Sequence, residues 1–404
     1  MPQRALVLER AWLALVFVGF GAVAQTFFWG IVGPATMDRL GIGASEFAGA
    51  VGLATLAAAI LYLALGPLVA RLPAERALAV GLLAAGLALV AAPLAPTVAA
   101  FTLAFVVLRL GARHVLSHAV EMRMSEERER LGGFGAQLVA FGYPVSILVV
   151  APALVAAAAI LSPGDLLAVA GAATLACGCI ALVRAAPQKA AAAAAAAIAP
   201  IRASFGAILA EPRFALLTLG YAVPFAVDTV ALLFHTRLAP TIGSVPLLTL
   251  YALGQVTGGV VAHWAARRIG PAWLVLAQAP ALALGAAALW IAGEAAAPVF
   301  FALLGLAIAV SNYAGVASWQ ATFGHEFLRT ALVLRGVLAM AASAVAAALA
   351  GRWFDLDGGA DALAAMTLAL VALVAACGVA IPRLGPRRDP SARGSERPSE
   401  RTVA

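Results

Sequence analysis

The chain has 404 residues, 64% of them hydrophobic and only 11% charged, and its mean hydropathy is +1.00. Soluble domains carry about 25% charged residues, so a water-facing globular surface is excluded. The net charge of +7 comes without the clustered basic face or motif that nucleic-acid binding requires. The three cysteines, Cys177, Cys179 and Cys377, lie in apolar runs with neither disulfide nor metal-site spacing.

A bilayer helix needs roughly 20 apolar residues, and charge-free runs of that length divide the chain. Read in order, they span about 11–36, 46–69, 77–94, 98–120, 133–159, 165–183, 214–235, 245–265, 272–292, 297–320, 333–351 and 361–381. The first run follows Arg4 and Arg10 and contains Ala22-Val23-Ala24, a passable leader cleavage pattern. It continues uncharged to Met37, long enough to stay and span, and is taken as a helix. The expected fold is therefore an all-α membrane protein of twelve transmembrane helices.

Arginine placement supplies an independent check, because cytoplasmic loops collect Lys and Arg. With the N-terminus inside, 21 of the 26 basic residues fall on cytoplasmic segments, Arg329 and Arg335 among them; Arg39, Arg237 and Arg352 fall outside, and Arg109 and Arg113 fall within the fourth span. Both termini are expected in the cytoplasm, and the basic charge is explained by topology. Residues 1–184 form one six-helix half and 213–385 the other. The connector 185–212, with an alanine tract at 190–197 and Pro187, Pro200 and Pro212, reads as a partly helical cytoplasmic linker. The Arg-, Ser- and Pro-rich tail 386–404 is expected to be disordered.

Several local strings sharpen this outline. Gly19-Phe20-Gly21 leading to Gln25-Thr26-Phe27-Phe28, then Ser45-Glu46-Phe47 and Leu53-Ala54-Thr55-Leu56-Ala57, occupy the first two spans. Arg109-Leu110 and Ser117-His118 lie in the fourth, Phe234-His235 closes the seventh, and Gly351-Arg352-Trp353-Phe354-Asp355 follows the eleventh. These strings resemble the major facilitator superfamily, in a bacterial branch related to monocarboxylate transporters. The resemblance implies two pseudo-symmetric six-helix halves, a substrate path between them lined by helices one, four, seven and ten, and residence in the bacterial inner membrane. The chain departs from the superfamily pattern in three places. Loop 2-3 has Ala70 and loop 8-9 has Ala266 where an aspartate of the cytoplasmic gate is usual, and the fourth span reads Arg109-Leu110-Gly111-Ala112-Arg113-His114 in place of R-x-x-G-Q-G.

An ionisable side chain at the membrane centre costs roughly 2.5 to 3.5 kcal/mol on insertion scales, so it should face water or a partner. Such residues are unevenly distributed. Span four holds Arg109, Arg113, His114 and His118, and span seven holds Tyr221, Asp228 and His235 at seven-residue intervals on one stripe. Spans one and ten add Gln25, Trp29, Asn312, Tyr313 and Gln320. Arg109 is suited to bidentate carboxylate binding, with Gln25, Trp29, His118, Asn312, Tyr313 and Tyr221 as further substrate contacts. Asp228, Arg113, His114 and His235 are candidates for proton coupling or gating. The plainer alternatives are snorkelling of Arg113, interhelical hydrogen bonds from the histidines, and an Asp228 ion pair with Arg109 or Arg113 acting as a gate. His114, His118 and Glu121 have the spacing of a partial metal set that nothing else completes, and His325-Glu326 lacks the second histidine of a zinc-protease motif. Gln255 and Gly258-Gly259 read as helix-packing positions.

The expectation is thus a monomeric secondary active transporter, not an enzyme, with no cofactor. It moves a small organic solute by alternating access with proton coupling, and an organic anion is favoured because arginines and histidines outnumber the single carboxylate. A proton-driven exporter of hydrophobic or cationic compounds using Asp228, and a non-transporting membrane sensor, are the competing readings.

Overall fold

In the computed structural model, the described residues are 3–69, 72–120, 133–185, 206–269, 271–356 and 359–384. They are almost entirely helical. Residues 186–205 of the linker, the tail 386–404, Ala70 and Glu121 lie outside them.

Helix α1 (Gln3–Ala14) runs through a π-helical turn (Leu15–Phe20) and a 3-10 turn (Gly21–Ala24) into α2 (Thr26–Leu40). Then follow α3 (Ala44–Val69), α4 (Ala74–Ala91), and α5 (Val98–Leu108), which continues as a second π-helical stretch (Arg109–Leu116). Helices α6 (Gly133–Ala158) and α7 (Pro163–Ala185) complete the N-terminal part. The C-terminal part comprises α8 (Pro212–Leu238), α9 (Ser244–Ile269), α10 (Pro271–Ala277), α11 (Ala279–Ala292), α12 (Ala297–Asp355) and α13 (Gly359–Arg383). Among the described residues, ten helical stretches are long and apolar enough to cross a membrane. This is a multi-pass membrane protein.

Reversals between helices are tight. Gly41, at φ 64°, ends α2 in the left-handed region, and its N–H returns to the Asp38 and Met37 carbonyls. Gly293, at φ 55°, turns the chain between α11 and α12. That turn divides the uninterrupted apolar stretch Trp273–Asn312 into two segments.

The 59 helical residues of α12 make two legs, because their packing partners run in opposite directions along α8. Trp319 and Phe323 meet Phe214, and Asn312 meets Tyr221. Beyond these, Arg335 returns to Tyr221, Ser343 reaches the Phe225 carbonyl and Phe354 stacks on Phe234. Descending α8 on the first leg and climbing it on the second requires a reversal between 323 and 335.

The apolar interior leaves little room for unpaired polar groups, since hydrocarbon offers no hydrogen bonds. Hydroxyls therefore turn back on their own helices: Thr55 to the Val51 carbonyl, Thr174 to Ala170 and Thr367 to Leu363, all at 2.7 Å. Close helix approach comes from glycine. A Cβ on Gly258 would lie 2.5 Å from the Leu306 carbonyl oxygen, and Gly254 and Gly305 are tighter still against the Ala302 and Tyr251 carbonyl oxygens. This seats α9 directly on α12. Gly86 and Gly171 do the same between α4 and α7.

Two ends of the bundle are distinguishable. At the terminal end, Arg184 pairs with Glu9 at 2.6 Å and with buried Glu75 at 3.5 Å, and Arg213 donates to the Leu384 carbonyl at 2.8 Å. At the opposite end, Asp355 receives the backbone N–H groups of Ala44 and Ser45 at 2.8 and 2.9 Å. That bond joins α12 to the first turn of α3.

Replacing Gly258 by leucine should force α9 from α12. Overpacking of this kind costs about 1 to 3 kcal/mol or more, and the expected outcome is a lower unfolding midpoint in detergent. A midpoint equal to the parent protein would show that the contact gives way freely.

Candidate functional site

A cavity of about 180 Å³ lies between the N-terminal and C-terminal helices. Arg109, Arg113, Gln25 and Tyr143 reach it from one side, and Asp228, Thr229 and Asn312 from the other. Every charged side chain in its lining is one of these three: Arg109, Arg113 and Asp228.

The local backbone explains how the N-terminal groups get there. Arg109 and Arg113 sit in the π-helical stretch that follows α5, where hydrogen bonds run i→i+5 and the turn is wider than in an α-helix; such turns recur at functional sites. Gln25 occupies the break before α2, with extended backbone and no capping bond from its side chain. Its Oε1 instead accepts from Arg113 Nη1 at 2.5 Å. Arg109 is buried, and its guanidinium carbon lies 5.0 Å from the Phe105 ring centroid.

Asp228 is held by a relay on the neighbouring helix. Its Oδ1 accepts the Tyr251 hydroxyl, and Gln255 Nε2 donates to that hydroxyl at 2.7 Å. Asp228, Tyr251 and Gln255 are all buried. A buried carboxylate needs such donors when ionised, and this one shares the cavity lining with Arg113. The arrangement can hold an anion against two guanidinium groups while one carboxylate carries or releases a proton.

Other sequence-derived candidates are placed elsewhere. Trp29, expected in the cavity, is instead fully buried among the N-terminal helices, donating to the Val23 carbonyl at 2.9 Å and meeting Phe105 edge-on at 4.6 Å between centroids. Its indole size suits an aromatic core more than a polar wall. His114 stacks on Tyr62 at 5.0 Å, and His118 meets the same ring at 6.3 Å, on a face apart from the two arginines. Buried His235 bonds the Leu232 carbonyl through Nδ1 and Ser244 Oγ through Nε2, both at 2.9 Å. It sits near the Asp355 end, where a Cβ on Gly30 would lie 2.5 Å from Nδ1. Tyr221 donates to Asn312 Oδ1 at 3.4 Å, so these two lie together at the cavity's edge. The side chains of Tyr313 and Gln320 fall outside the described residues. Among the described residues no group of three metal-ligating side chains converges.

The arrangement of helices can be compared with solved structures. The nucleoside transporter NupG superposes with a TM-score of 0.68 at 12% identity, covering 94% of this chain and 99% of that one. The peptide transporter POT in complex with alafosfalin gives 0.66 at 15% identity, over 93% and 95% of the two chains. A bacterial homologue of the human lysosomal transporter Spinster, inward-facing and occupied, gives 0.64 at 16% identity, over 96% and 99%. The chain shares the fold of these transporters. No family model matches the sequence, and no curated protein matches it.

Sequence reasoning passed over three of the polar groups at or behind the cavity. Gln255 read as a packing residue together with Gly258-Gly259, and Tyr251 and Tyr143 carry no charge to mark their spans. Their signal was depth, since a tyrosine hydroxyl or a glutamine amide in mid-span needs a partner. Arg335, assigned from the sequence to a cytoplasmic segment, packs over the Tyr221 ring, 4.0 Å from its centroid. The span read as 333–351 includes this position, and the apolar stretch of the structure begins one residue before it, at Leu334.

At the end bearing Asp355, substitution to alanine removes the acceptor for two backbone donors. Loss of such a cap costs about 1 kcal/mol. A cysteine introduced at Ser45 in a cysteine-free background should then react faster with a charged thiol reagent; an unchanged rate would mean that the contact does not hold this end closed.

Proposed function

We propose that the chain is an inner-membrane secondary active transporter that moves a small organic anion by alternating access, coupled to protons. The observation that carries this reading is the cavity where Arg109 and Arg113 face Asp228 from opposite sets of helices. Two guanidinium groups against one carboxylate leave a site with net positive charge, matched to an anion. Protonation of Asp228 would raise that positive charge further and so favour anion entry, which couples the two ligands in the same direction.

We read twelve crossings by adding two to the ten apolar stretches. The helices α1 and α2, interrupted by the turns at 15–24, make the first crossing, and the turn at Gly293 divides Trp273–Asn312 into two. An even number places both termini on one side, and the arginine distribution makes that side the cytoplasm. Residues 1–184 and 213–385 are then the two halves, and the protein is read as a monomer. The transport activities in the names of NupG, POT and the Spinster homologue support a transporter of small solutes. The competing reading of a cation exporter retains one supporting feature, the buried carboxylate itself.

Reconstituted vesicles test the proposal. Uptake of radiolabelled carboxylates driven by an imposed pH gradient is expected for the parent protein. Arg109→Ala should reduce uptake by at least tenfold, and Asp228→Asn should leave binding but remove the response to the gradient. Transport of lipophilic cations with no carboxylate flux would replace the anion reading with the exporter; ligand binding without any flux would favour a sensor.

A further inference from the structure

The C-terminal half contains a polar cluster next to the cavity that the charge count above omits. Arg335, on the second leg of α12, lies over the Tyr221 ring at 4.0 Å and 5.7 Å from the Trp319 ring centroid. Its Nε and Nη1 atoms are shielded from solvent, and neither has a hydrogen-bond partner among the described residues. A guanidinium stacked on an aromatic face keeps its N–H groups free in the plane. Leaving two of them buried and unmatched is costly, and an acceptor on a ligand would offset that cost.

The cluster adjoins the cavity through Asn312. Tyr221, beneath the guanidinium, donates to Asn312, and Asn312 is exposed and lines the cavity. Tyr221 and Asp228 are two helical turns apart on α8, so Arg335 lies about 10 Å from the carboxylate along the axis, toward the terminal end. Counting Arg335, three guanidinium groups oppose one carboxylate, and the positive charge is split between two levels.

We infer that Arg335 is a second anion anchor, and that the substrate is an elongated organic dianion with one acidic group at Arg109 and Arg113 and the other at Arg335. Tyr221 and Asn312 form the wall between the two anchors. The inference rests on the organic-anion reading of the cavity and narrows it. A monoanion would satisfy only one level and leave the Arg335 N–H groups unmatched; a dianion satisfies both and bridges the two halves.

Binding of straight-chain α,ω-dicarboxylates from succinate to sebacate, each paired with the monocarboxylate of equal length, tests this on purified protein in lipid nanodiscs by isothermal titration. For the parent protein, at least one dicarboxylate should bind tenfold or more tightly than its monocarboxylate partner. Arg335→Gln should erase that difference by lowering dicarboxylate affinity to the level of the monocarboxylate of equal length. Arg335→Lys, which restores the charge but not the planar fork, should recover part of it. Equal or tighter binding of the monocarboxylates by the parent protein, or an advantage for dicarboxylates that survives Arg335→Gln, overturns the second anchor and leaves the anion reading intact. Failure of every carboxylate to bind the parent protein overturns both. If Arg335→Gln does not fold, Tyr221→Ala, which removes the platform beneath the guanidinium, must reduce the same ratio by at least threefold or the proposal fails.

Discussion

Charge in hydrocarbon is the constraint on which this structure turns. A guanidinium or carboxylate cannot face lipid tails without a penalty of several kcal/mol, and the fold answers by directing such groups inward, toward one another and toward a crevice. Arg109, Arg113 and Asp228 meet at one cavity, Asp228 is held by Tyr251 and Gln255, and Arg335 lies on an aromatic platform at its edge. The rest of the chain can be apolar and repetitive because the polar work is concentrated at these few positions.

Helix packing sets the precision of that concentration. The hydrophobic effect does not draw helices together inside a bilayer, so contact surfaces depend on shape and on small residues. The glycines between α9 and α12, and between α4 and α7, allow backbones to touch. The helix α9 that carries Tyr251 and Gln255 is seated by that contact, and the relay to Asp228 inherits its geometry. The fold can therefore persist at 12 to 16% identity to its structural neighbours: the required features are small residues at crossings and apolar bulk elsewhere, which many sequences supply.

Much of this was legible in the amino-acid order, and the failures have physical causes. Hydropathy located the membrane helices because spanning length is a strong constraint, and the resemblance in both halves pointed to the fold found by superposition. Arg109, Arg113 and Asp228 stood out because charge in mid-span is rare. Trp29 was misplaced because composition cannot tell which side of a helix faces a neighbouring aromatic cluster; Phe101 and Phe105, some seventy residues away in the chain, decide it. Arg335 was passed over because a charge two residues inside a predicted boundary reads as a loop residue, and its contact with Tyr221 exists only in the tertiary structure. The π-helical stretch at Arg109–Leu116 left no sequence signature, since nothing local distinguishes a widened turn.

The bond between Asp355 and α3 has a further property. Its receiving groups are main-chain N–H donors at positions 44 and 45, which every residue except proline supplies. Substitutions at those two positions can accumulate without weakening the attachment, so correlated change between the two strands of an alignment would not reveal it. An evolutionary record of this link would consist of one invariant acid facing a variable stretch, and methods that search for paired variation would be blind to it.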